Sequence, residues 1–157
     1  MPSREVHEKY SRLMGIPIDV AREVNRFIDD PRWHDFFDSA LDRSSMHLGL
    51  LGGRVIVYGF QSALFYTPTY EPFRQRIEAY GGDGFRAFFL HMILDLIERN
   101  MRSGEGFALL KLDDIDGLYR DYVEEVGEFL GGRIDEVLAD VREYIDGGRN
   151  PTTLRGG

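Results

Sequence analysis

The longest apolar run of the chain, Phe85 to Met101, sets Phe85, Phe88, Phe89, Met92, Ile93 and Leu96 at helical spacing, with Leu90, Leu94 and Ile97 on the opposite flank. A helix that is apolar on nearly every side belongs inside a bundle. The pattern therefore predicts a buried central helix over about 84–101, opened by a cap at Asp83. The other helical stretches are one-sided. Val6, Tyr10, Leu13 and Met14 form a stripe that Ser3 can cap and that Gly15 and Pro17 end. Asp19 caps a stripe of Val20, Val24, Phe27 and Ile28, and Asp30 caps one of Trp33, Phe36, Phe37, Ala40 and Leu41. Pro72 opens a short helix with Phe73, Ile77 and Tyr80, and Asp113 caps one with Ile115, Leu118, Tyr119, Tyr122, Val123, Val126 and Leu130. The last stripe is Ile134, Val137, Leu138, Val141 and Ile145, and recurring Gly-Gly pairs mark helix ends.

Met46 to Tyr70 reads two ways. Two short apolar runs around Gly52-Gly53 suit a β-hairpin at about 47–60, and Val55-Ile56-Val57-Tyr58 is good strand material. The same residues suit a buried helix from Arg54 to Phe65 broken by Pro68. The helical surroundings favour the helix. The expected fold class is mainly α: a single-domain helical bundle over 1–148 around the central helix, followed by a flexible tail over 149–157.

Composition narrows the function. A formal charge of -8 over 157 residues disfavours nonspecific binding to nucleic acid or to an anionic membrane, both of which need a positive surface. The absence of cysteine excludes disulfides, thiolate metal sites and thiol nucleophiles. The start, MPSREVHEKY, lacks the apolar core of a secretory signal, and the apolar run holding Arg86, His91 and Asp95 is too short and too charged for a membrane span. A cytoplasmic protein is expected.

The chemistry-bearing side chains are few. Four histidines occur, His7, His34, His47 and His91, three of them on predicted helices at the margin of an apolar stripe. Two have a carboxylate one turn on, His34 with Asp38 and His91 with Asp95, so each pair shares a helix face. Burying an imidazole and a carboxylate costs several kcal/mol unless they find partners. Bundles build metal sites from such pairs on facing helices, and imidazole with carboxylate suits divalent Zn, Mn, Fe or Ni, while carboxylate alone suits Mg. No Glu-x-x-His, His-Glu-x-x-His, phosphate-binding glycine loop or nucleophile elbow is present, and Asp114-Ile115-Asp116-Gly117 lacks ligands at both ends of an EF-hand loop.

The order His7, then His34-Asp35, then Asp95 resembles the H…HD…D pattern of the HD-type metal-dependent phosphohydrolases, all-helical enzymes that activate a water against phosphoesters. The resemblance implies His7, His34, Asp35 and Asp95 as metal ligands and His91 as a further ligand or phosphate contact. HDFFD departs from the family in lacking the small residues and lysine that often follow the doublet. On this reading the chain is a metal-dependent hydrolase of a small anionic substrate. His91 or Asp38 moves a proton or orients a ligand, and Arg32, Arg54 or Arg86 supplies positive charge. The alternative is a non-catalytic helical module that docks on a partner or forms a homo-oligomer. The terminal Leu154-Arg155-Gly156-Gly157 looks like the tail of ubiquitin-type modifiers, whose β-grasp body does not suit a helical chain.

Overall fold

A computed structural model describes residues 4–30, 47–51, 53–58, 68, 70–104, 106–109 and 120–147. Among them are six helices: α1 (Arg4–Met14), α2 (Ile18–Ile28), α3 (Glu71–Glu78), α4 (Gly82–Ser103), α5 (Arg120–Gly131) and α6 (Ile134–Gly147). Three strands accompany them, β1 (His47–Leu51), β2 (Arg54–Tyr58) and β3 (Ala108–Leu109). The fold is mainly α, as the periodicity predicts. Among the described residues no helix is long and apolar enough to cross a membrane.

The central helix α4 is buried on most of its circumference, with Phe88, Phe89, Leu90, Ile93, Leu94 and Ile97 at most 1% exposed. Helices α1, α2, α3, α5 and α6 all pack on it. Each such side chain contributes about 1.5–3 kcal/mol by leaving water, so α4 is the main hydrophobic anchor of the molecule. Phe73 of α3 meets Phe27 of α2 and Phe88 of α4 in tilted and edge-on ring contacts, tying three helices at one point. Tyr10 of α1 is fully buried, and its hydroxyl donates to Asp140 of α6 at 2.5 Å.

Two expected caps are misplaced. Helix α2 starts at Ile18 after Pro17, and α4 starts at Gly82 after Gly81, neither with a side-chain cap hydrogen bond. Asp19 and Asp83 lie inside the first turns instead, where their charge still suits the helix dipole. Gly81 has φ 63° and ψ -145°, a backbone essentially reserved for glycine, so the capping position falls to it and not to Asp83 two residues later.

The helix expected from Arg54 is a strand at its start. His47–Leu51 pairs antiparallel with Arg54–Tyr58, and Leu51 opposite Arg54 leaves a two-residue turn. Gly53 of that turn has φ 78°, which only glycine adopts without strain. β3 joins the other edge of β1 in parallel, so the sheet order is β2-β1-β3. The reason helix loses is long-range: β2 lies directly on α5, whose Gly127 and Gly131 expose bare backbone to it. The predicted helix around Trp33, the segment 59–67, the residues Asp113 to Tyr119 and the tail lie outside the described residues.

Candidate metal centre

Three helices meet where their polar residues turn inward. On α1, His7 follows the buried Val6 and precedes Glu8, and all three are at least nine-tenths buried. Ser11, one turn on, donates its hydroxyl to the His7 carbonyl oxygen at 2.7 Å, fixing the backbone there. On α4, His91 and Asp95 stand one turn apart on the same face. The His7 and His91 rings stack with centroids 4.3 Å apart and planes 26° apart. Between and below them lies the Asp95 carboxylate, with Oδ2 3.2 Å from His91 Nε2 and Oδ1 3.4 Å from His7 Nε2.

These distances suit donors around one ion, and equally a buried ion-paired cluster. Metal bonds of about 2.0–2.2 Å at tetrahedral angles put neighbouring ligand atoms about 3.4 Å apart. One donor atom from each of His7, His91 and Asp95 lies within 4.8 Å of the others, so the trio could hold a metal ion. Two of the donors are also unsatisfied: His91 Nε2 and Asp95 Oδ1 are buried without a hydrogen bond. A buried orphan of this kind costs about 1–3 kcal/mol or more, which a ligated cation would offset. Burial by itself pushes the Asp95 carboxyl up, but the attraction of His91 and His7 outweighs it and leaves the group well below the usual carboxylate range.

No family model, curated protein or solved structure matches this chain.

Helix α2 supplies the remaining wall. Asn25 Oδ1 lies 2.8 Å from His91 Nδ1, and Asp29, one turn later, places Oδ1 3.7 Å from His91 Nε2. A cavity of about 470 Å³ opens at the two imidazoles between α1 and α2, where Arg4, Glu8, Arg22, Glu23, Arg26 and Asp29 join His7, Asn25 and His91 in its lining. Glu8 organises its cationic side. It accepts from Arg22 Nε at 2.8 Å and from Arg4 Nε at 3.0 Å. The Arg22 hydrogen bond lowers the Glu8 carboxyl to about 2, against an opposing effect of burial and with help from Arg4. Arg26 pairs with Glu23 along α2.

Because the folded Glu8 carboxyl lies below its ordinary 4.5, it favours the folded state fully above that value and loses this contribution as pH falls toward about 2. Denaturant titrations between pH 6 and pH 2 should therefore show a steeper acid loss for the wild type than for Glu8→Gln. Superimposable pH curves would contradict this assignment.

The structure unites His7, His91 and Asp95 from among the residues singled out in the sequence. His34, Asp35 and Asp38 lie outside the described residues, as does Arg32. Arg54 and Arg86 are not at the cavity: Arg54 faces Glu124 of α5 at 3.7 Å, and Arg86 donates to Glu125 at 2.7 Å and Asp83 at 3.2 Å. The arginines that do line it are Arg4, Arg22 and Arg26. Asn25 and Asp29 carry a sequence signal only in hindsight, a polar pair four apart beside the Val24–Phe27–Ile28 stripe.

Proposed function

We propose that the protein is a metal-dependent hydrolase whose ion is held by His7, His91 and Asp95, with a small anionic substrate, such as a phosphoester, entering the cavity above it. The observation that carries this reading is the group of two buried imidazoles and one carboxylate beside a cavity lined by three arginines and three carboxylates. Two imidazoles and one carboxylate favour Zn, Mn, Fe or Ni over Mg. Three protein ligands also match the pattern of catalytic centres, which keep a position open for water or substrate. A divalent ion held there would bring the pKa of its bound water toward neutrality.

The chain's own groups would do the rest. Asp29, at the cavity side of His91 and 43% exposed at its side chain, is placed to take the proton from the attacking water. Arg22 and Arg4, held in place by Glu8, would receive the anionic group of the substrate as forked donors. The resemblance to HD-type phosphohydrolases points to the same substrate class. A docking module is favoured less, because among the described residues the large hydrophobics left exposed are Leu13 and Tyr80.

Calorimetric titration of chelator-stripped protein with Zn²⁺, Mn²⁺, Fe²⁺ and Ni²⁺ tests the centre, and turnover of p-nitrophenyl phosphate and its bis-ester tests the chemistry. Saturable uptake of a single ion is expected, and no heat with any ion would sink the reading. Given turnover, Asp29→Asn should lower kcat by about 10²–10⁴-fold, the usual range for a general base, while leaving metal affinity within a few-fold.

A further inference from the structure

The proposed centre depends on which ring nitrogen of His91 carries a proton, and α2 decides it. Asn25 Oδ1 is a carbonyl oxygen 2.8 Å from Nδ1, at good hydrogen-bond distance. A carbonyl oxygen has no proton to give, so the proton of that bond resides on Nδ1 and the bond runs from the ring to Asn25. The neutral ring then carries its lone pair on Nε2. Nε2 lies 3.2 Å from Asp95 Oδ2, and no hydrogen bond joins them. A neutral ring nitrogen and a carboxylate oxygen this close repel unless positive charge lies near both. A second proton on the ring or a metal ion would supply it.

Resting on the metal-centre reading above, we infer that Asn25 is a positioning residue of that centre: it accepts the Nδ1 proton of His91 and thereby presents Nε2 as a ligand. The arrangement is rigid on both sides. His91 has 1% of its side chain exposed and stacks on His7, so the ring cannot turn to exchange its nitrogens without unstacking. Asn25 sits mid-helix on α2, one turn before Asp29, so the two residues face opposite nitrogens of one imidazole. Outer-shell partners of this kind fix tautomer and orientation, and their loss typically lowers metal affinity by about 10–100-fold.

The test combines two variants with a spectroscopic readout on the wild type. Asn25→Leu keeps the side-chain volume and removes the acceptor, and Asn25→Asp keeps an acceptor in place. Zn²⁺ affinity should fall by about 10–100-fold in Asn25→Leu and stay within a few-fold of wild type, or rise, in Asn25→Asp. Circular dichroism and melting of the metal-free variants check that both fold. Long-range ¹H–¹⁵N spectra of the wild type should show His91 Nδ1 protonated, with and without Zn²⁺, and Nε2 as the nitrogen that responds to the ion. An equal loss in both variants would assign Asn25 to packing, and a bare Nδ1 or zinc on Nδ1 would overturn the inference. A wild type that binds no Zn²⁺, Mn²⁺, Fe²⁺ or Ni²⁺ would instead remove the centre itself, an outcome distinct from zinc bound with Nδ1 bare.

Discussion

Gly127→Ala should cost the protein about 3 kcal/mol of stability, at the upper end of what overpacking usually does. A methyl group at Gly127 would stand 1.7 Å from the Val55 carbonyl oxygen and 2.9 Å from its carbon, both backbone atoms of β2. Neither can swing aside as a side chain would. A methyl group at Gly131, one turn on, would likewise stand 2.1 Å from the Gly53 carbonyl oxygen. The two glycines make a bare strip on α5, and β2 lies in it. Helix propensity argues the other way, since alanine is better than glycine in a helix interior by about 1 kcal/mol. The sign of the measured change therefore decides whether the close approach exists. Urea denaturation of Gly127→Ala should show a clear loss, whereas Gly132→Ala, with its nearest neighbour at 3.6 Å, should change little. A stabilised Gly127→Ala would mean that β2 does not rest on α5.

That strip explains where the sequence pattern runs out. The central helix was legible because it is apolar around its whole circumference, and nothing but a bundle core accommodates such an element. Val55 to Tyr58 carried no comparable signal. A short apolar run suits strand and buried helix equally, and what separates them here is contact with glycines more than 70 residues later. The expected caps failed for a local reason: Pro17 and Gly81 already turn the chain into the helix, so the aspartates that follow fall in the first turn.

The candidate centre divides in the same way. His91 and Asp95 could be paired from spacing alone, since four residues on a helix is one turn. His7 stood at the edge of a stripe, a position equally consistent with solvent, and only the packing of α1 on α4 buries it to 2% exposure. Asn25 and Asp29 resemble any solvated helix edge until α2 is laid against α4, 66 residues away for the Asn25–His91 bond. Spacing within one helix can be read from a chain, but the meeting of three helices cannot.

Asp95→Asn is expected to abolish productive metal binding, lowering Zn²⁺ affinity by more than about 100-fold, beyond what loss of an outer-shell partner costs. The carboxylate touches both imidazoles, at 3.2 and 3.4 Å, and an amide of the same shape offers a poor ligand in its place. Stability measured against metal concentration separates this from a purely structural role. A ligand that binds only the folded state adds about 2.7 kcal/mol when its concentration is 100 times its Kd. The wild type should gain that amount on addition of Zn²⁺, and Asp95→Asn should gain almost none. If His7, His91 and Asp95 were only a buried ion pair, neither protein would respond to metal, and the substitution would instead cost about 3–5 kcal/mol in metal-free buffer by stranding buried charge. The two accounts thus predict opposite patterns in one pair of melting series: a metal-dependent difference between the proteins if the cluster is a centre, and a metal-independent one if it is a structural pair.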